Sequence, residues 1–181
     1  MNRSVKLIVS LFLISQTISG ISSIDTILFS CHFVRGTCDM KNEERARAFW
    51  QNEYLHKGRR MGYAMVVRGN EAKNNFARFQ TPFITTTGIT QGCIKFKYFI
   101  EGRTPASIAV IKQGAVTQYL FATARRTEDK WEEAEIDVEF LGDQVMFYFE
   151  ADTRTQDFGS SLVAFTDLVI TSNPCTFSHY G

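Results

Sequence analysis

Short runs in which apolar residues recur at every second position dominate this chain. The strictest is Ala134-Glu135-Ile136-Asp137-Val138-Glu139-Phe140, and Ile94-Lys95-Phe96-Lys97-Tyr98-Phe99-Ile100 alternates apolar and basic residues until Gly102. A period of two belongs to an extended strand with one buried and one wet face. Met61–Val67, Phe76–Gln80, Ile108–Ile111, Val145–Phe149, Leu162–Phe165 and Leu168–Ile170 complete the set, separated by Gly, Asn, Asp and Thr turns. The pattern predicts an all-β fold, an antiparallel jelly-roll β-sandwich. Only Asn42–Gln51 reads as helical, with Glu43 four residues before Arg47, and a charged loop is its alternative. With 16 Phe, 3 Pro and 44% hydrophobic residues the chain is too apolar for disorder. Its 181 residues suffice for one core of ordinary size.

The N-terminus reads as an address. Arg3 and Lys6 precede the apolar run Leu7–Ile14, and small or polar residues from Ser15 to Ser23 follow. These are the three parts of a secretory signal peptide, expected over residues 1–22 with cleavage between 19 and 23. The run is far below the ~20 residues that span a bilayer. No later segment is long and apolar enough either, so the expected product is secreted, extracellular and without a membrane span. Removing Arg3 and Lys6 leaves 18 basic against 19 acidic residues, a net charge of −1. Such a balance lacks the basic surplus of a nucleic-acid binder. The one N-x-S/T sequon, Asn2-Arg3-Ser4, lies inside the signal.

The four cysteines, Cys31, Cys38, Cys93 and Cys175, all follow that signal. An even count in a secreted chain reads as disulfides, with three possible pairings. Cys31 and Cys38 are the easiest to bridge, which leaves Cys93 with Cys175. A zinc site is the competing reading, but there is no C-x-x-C, and His32 and His179 are poorly arranged as ligands.

Eight fragments then occur in a telling order. They are Cys31-His32-Phe33 closing at Cys38; Phe49-Trp50; Gly62-Tyr63-Ala64-Met65-Val66-Val67; Ala77-Arg78-Phe79-Gln80-Thr81-Pro82; Cys93 to Gly102; Trp131 to Ile136; Phe147 to Ala151; and Val163 to Leu168 before Cys175. Together they resemble the MAM domain, the extracellular module of meprins, neuropilins and the mu-type receptor tyrosine phosphatases. The resemblance runs from Ser30 to Phe177 and places a MAM domain over residues 27–178. It implies a jelly-roll sandwich, supports the pairing Cys31–Cys38 with Cys93–Cys175, and implies a non-catalytic protein that mediates extracellular recognition or adhesion. The implied partner is an extracellular protein, either a second copy or a cell-surface receptor. The family's aromatic or apolar positions fall here on Phe33, Phe49, Phe79, Phe96, Phe147 and Phe165.

The departures cluster. Where the family carries Cys-Asp-Phe-Glu and, near its end, Asp-Asp, acidic groups can build a cation site. Here His32, Val34 and Thr166 replace three of those acids, and only Asp167 remains. Hard cations take 6–8 oxygen ligands, usually several of them carboxylate, so the site is not expected. Asp167 is expected instead to hydrogen-bond backbone in a turn.

The strand Glu135-Ile136-Asp137-Val138-Glu139 also matches the E-x-D-x-E signature of laminarinase-type jelly-roll glucanases. Alternation puts Glu135, Asp137 and Glu139 on one face, where a nucleophile and an acid/base are conceivable. Retaining hydrolysis needs carboxyl groups about 5–5.5 Å apart, whereas i and i+4 on a strand lie roughly 13 Å apart at Cα. The simpler reading turns Ile136, Val138 and Phe140 to the core and leaves the acids solvated. A carbohydrate-binding module or glycosidase is thus the alternative function, with glycan as the alternative partner. No nucleophile–His motif or phosphate loop occurs, and neither catalysis nor a cofactor is expected. Lys57-Gly58-Arg59-Arg60 reads as a solvated basic loop that could touch an acidic partner or be cut at Arg59-Arg60. Trp50 and Trp131 read as packing residues.

Overall fold

The computed structural model describes residues 25–72, 75–153 and 161–175. The signal-peptide segment, the sequon at Asn2 and His179 lie outside the described residues. Twelve strands and one four-residue helix are formed there: β1 (Ile27–Cys31), β2 (Lys41–Asn42), β3 (Gln51–Lys57), β4 (Arg60–Arg68), α1 (Gly69–Ala72), β5 (Phe76–Gln80), β6 (Ile84–Thr85), β7 (Gln91–Glu101), β8 (Ser107–Gln113), β9 (Gln118–Thr123), β10 (Glu132–Glu139), β11 (Gln144–Asp152) and β12 (Leu162–Thr171). They make two antiparallel sheets. The first runs β10-β7-β12-β4-β3, with β1 beside the second half of β12; the second runs β2-β5-β11-β8-β9, with β6 on the start of β11. This is the jelly-roll sandwich that the alternation predicts.

The core lies between the sheets and is built from the inward members of each alternation. Ala134, Ile136 and Val138 come from β10, Ile94, Phe96 and Ile100 from β7, and Phe147 and Phe149 from β11. Phe165 is the hub. Its ring stacks on Phe149 at 4.4 Å and meets Phe33 and Trp50 edge-on at 5.3 and 5.0 Å. Offset and edge-on aromatic pairs add about 0.5–1.5 kcal/mol each beyond area burial. The Trp50 indole N–H donates to the carbonyls of Ala77 and Phe149, so its burial leaves no polar group unpaired. Of the family's aromatic positions only Phe49 points out; it is 53% exposed.

The first sheet is also covered on part of its outer face. Leu55, Ala64, Val66, Phe99, Leu162 and Ala164 form a second cluster there, with Trp131 packed on it. Burial on both faces explains why Met61–Val67 and Leu162–Phe165 are continuously apolar in part. Trp131 rests on Phe99 at 5.5 Å, and its indole N–H donates to the Lys57 carbonyl. Thr127, ahead of it, both donates to and accepts from the Ile100 backbone.

Cys31 is bonded to Cys38 and Cys93 to Cys175, and no cysteine is free. The helical reading of Asn42–Gln51 is wrong: the segment leaves β2, turns and enters β3. Glu43 pairs with Arg78 on β5 rather than with Arg47, and the Asn42 side chain holds both the N–H and the carbonyl of Trp50. Tertiary partners took the groups that a helix would have used.

Candidate functional site

Three surfaces carry chemistry. The first is centred on Asp167. The β12–β7 register shifts between Thr166 and Val169, and Asp167 sits in that bulge with φ of 52°. A bulge re-aims a side chain, and here it turns the carboxylate toward three neighbouring elements. Arg60 Nη2 from β4 lies 3.0 Å from Oδ1, His32 Nδ1 after β1 lies 3.3 Å from the same oxygen, and Lys97 Nζ from β7 lies 3.4 Å from Oδ2. Burial works against ionisation of Asp167, but Arg60, His32 and Lys97 together outweigh it and lower its pKa. The expectation that Asp167 serves a backbone turn is therefore corrected: its recorded partners are charged or titratable side chains. Thr166 is fully buried and donates to the Tyr63 carbonyl. No group of three or more His, Cys, Asp or Glu able to hold a metal occurs among the described residues.

The second surface is the acidic strand. β10 is the edge of the first sheet, and Glu133, Glu135, Asp137 and Glu139 all face solvent. Two of the three candidate acids are engaged. Lys95 Nζ lies 2.8 Å from Glu135 Oε1, and the Cys175 N–H donates to Asp137 Oδ1 at 2.7 Å. Asp137 and Glu139 border an open cleft of about 480 Å³ between the β10 and β9 edges, together with Gln91, Gln118, Leu120 and Pro174. Glu135 is not part of it, and no aromatic side chain among the described residues lines it. The strand thus separates the three acids between an ion pair and a cleft rim. On the second sheet, the Arg78 guanidinium lies against the rings of Phe76 and Tyr148 and is neutralised by Glu150 and Glu43.

The third surface escaped the sequence. β3 and β4 form a hairpin closed by Gly58 and Arg59, both at positive φ (56° and 61°), as a two-residue type I′ turn requires. Met61, Tyr63 and Met65 share one side of β4, but only Met65 is covered by the core. Tyr63 is 38%, Tyr54 58% and Met61 61% exposed. Tyr54 pairs directly with Tyr63, ring to ring at 5.3 Å. Tyr54 lies on the edge strand β3, and Met61 and Tyr63 on its neighbour β4. A period-two pattern marks Met61 and Tyr63 as inward facing and cannot show where the opposing sheet stops. The basic loop is the tip of this hairpin, with Lys57 paired to Glu101 and Arg60 to Asp167.

Comparison with known proteins agrees on the fold. A xylan-binding domain, the CBM22-1 of Paenibacillus barcinonensis Xyn10C, is 14% identical with a TM-score of 0.55, covering 83% of this chain and 97% of its own. A CBM61 solved with β-1,4-galactotriose is 9% identical with a TM-score of 0.57, covering 75% and 89%. A family 29 carbohydrate-binding module variant is 12% identical with a TM-score of 0.52, covering 83% and 86%. At such identities the likeness is one of fold. No curated protein matches the sequence. The MAM domain family (meprin/A5/mu) matches residues 31–176, from the first cysteine past the last, and the chain belongs to that family.

Proposed function

We propose that this chain is a secreted, non-catalytic recognition module that binds an extracellular protein, a second copy or a cell-surface receptor, through the exposed face of the β3–β4 hairpin. Family membership supports extracellular recognition, and the two disulfides suit an oxidising compartment. The observation that carries the reading is the exposed cluster of Tyr54, Met61 and Tyr63 on an edge hairpin. Aromatic residues and Met are enriched at interface centres, and the ion-paired hairpin tip presents them without further ordering. The test compares the mature oxidised domain with a Tyr54→Ser/Met61→Ser variant, by light scattering against concentration and by binding to intact cells. Both substitutions lie on an exposed face, so the fold is retained. Association or cell binding should weaken by about thirtyfold or more in the variant. Equal binding by both proteins would refute the assignment.

Glycan binding is the second reading. What favours it is the cleft beside β10, whose Gln91, Gln118, Asp137 and Glu139 offer hydroxyl-binding groups. Titration with β-glucan and galactan oligosaccharides, with Glu139→Gln as the cleft variant, distinguishes it. Hydrolysis by the parent chain, abolished in Glu135→Gln, would instead support the glycosidase alternative.

A further inference from the structure

The family resemblance implies a cation site at the junction of β1 and β12, and the donor set here does not fit one. A hard divalent ion requires several carboxylate or carbonyl oxygens converging on one point. Asp167 is held by a guanidinium, an ammonium and an imidazole; Asp25 and Glu133 border the same open pocket, but no group of three or more metal-ligating side chains forms among the described residues. Thr166 is no substitute ligand, because its hydroxyl is buried and directed to the Tyr63 carbonyl. Val34, at another of the departed positions, is exposed and has no donor atom in its side chain.

We propose that this domain carries its cation internally: the Arg60 guanidinium, seconded by Lys97 and His32, holds Asp167 and so joins β1, β4, β7 and β12 without a metal ion. Several observations meet at this point. Arg60 is not a free surface arginine. Its guanidinium lies 5.3 Å from the centre of the Trp131 ring, which itself covers the apolar outer face of the first sheet. The ring lies on one side of the group and Asp167 on the other, and Arg60 Nη1 is buried without an acceptor among the described residues. Asp167 is held in a left-handed bulge that aims its carboxylate at this one place. His32 immediately follows Cys31, so the same contact anchors the disulfide-closed loop. A divalent ion brought here would face the Arg60 and Lys97 cations across a carboxylate that is already engaged. The inference is independent of which partner the hairpin binds.

Thermal melting of the oxidised mature domain tests it. With calcium, magnesium or a chelator, the midpoint should stay within about 1 °C of its metal-free value. A calcium-dependent rise reversed by chelator would overturn the proposal. Arg60→Met and Asp167→Asn should each lower the midpoint by roughly 3–8 °C, equally with and without calcium. In the double variant the losses should be clearly less than additive, because each removes the same pair. Additive losses, or an unchanged midpoint in Arg60→Met, would overturn the role of the guanidinium. Both positions are partly exposed, so these variants should fold. A variant carrying His32→Asp, Val34→Glu and Arg60→Met restores two exposed carboxylates and removes the internal cation. Its midpoint should become calcium-dependent where the parent's is not.

Discussion

Gly92 sits in β7 where the end of β12 crosses close above it. A Cβ at this position would stand 2.3 Å from the Thr171 carbonyl oxygen and 2.5 Å from the Phe140 ring. Neither neighbour can retreat easily, one being backbone in a sheet and the other a buried ring. Gly92→Ala should therefore destabilise the domain by about 3 kcal/mol in urea denaturation; a variant as stable as the parent would show that the sheet yields there. Asp167 governs a different observable. Its pKa is lowered in the folded state because Arg60, His32 and Lys97 outweigh the effect of burial. A depressed folded value means that the stabilisation is present above the ordinary aspartate pKa of about 3.9 and fades as pH falls through the folded value. The stability difference between the parent and Asp167→Asn should hold above about pH 5 and shrink as pH falls below the ordinary aspartate value. A difference that persists unchanged at the acid end would mean that charge is not what Asp167 contributes. Alternation along β10 correctly assigns Ile136 and Val138 to the core and the acids to water, because one residue's face follows from its neighbours'. The three side chains on Asp167 come from three other segments, and no local pattern connects them.

Among elements, the long strands were legible and the short or polar ones were not. β7, β10 and β11 bury one full face and so display the period of two. In sequence β12 shows as two runs, Leu162–Phe165 and Leu168–Ile170, and the gap between them is the bulge at Asp167. β3 escaped because only Leu55 of its seven residues is buried, and β9 because none of its residues is. β2, two residues long, has no period at all. The hairpin face escaped for the same reason, since Tyr54 lies in a strand whose sequence does not alternate. The disulfides differ in what they constrain. Cys93–Cys175 closes a span of 82 residues and Cys31–Cys38 one of 7. On the chain-entropy account, replacing the long pair by serine should cost about 4 kcal/mol and the short pair about 2–3. Chemical denaturation of the two double variants would contradict this by reversing the order.

At the scale of the whole molecule, one core joins both sheets, and Phe165 from the first touches Phe149 from the second. Domains with a single shared core unfold as a unit. The two tryptophans report on different places: Trp50 sits inside the core, and Trp131 covers the outer face of the first sheet. In each of the Trp131→Phe and Trp50→Phe variants the fluorescence transition should therefore coincide with that variant's own circular-dichroism transition. An earlier loss of the Trp131 signal would mean that the outer cluster melts separately. Topology also sets the pace. The pairings of β7 with β12 and of β1 with β12 close long loops, which places folding in the slow range of all-β domains.

The pairing of the first strand with the last has a mechanical consequence. Ile27 lies opposite Thr171 and Cys31 opposite Leu168, so the flanking chain enters and leaves beside the same end of this ladder. Tension applied through those flanks would not shear β1 along β12. It would peel the two apart one rung at a time, starting at Ile27 and Thr171, against hydrogen bonds that lie across the strands. The disulfides limit the damage. Load arriving at Cys175 passes directly to Cys93 in β7, and load reaching Cys31 passes directly to Cys38. Under pull the domain would thus give up β1 early, as a short and reversible extension, and carry the remaining force through covalent bonds into its central sheet.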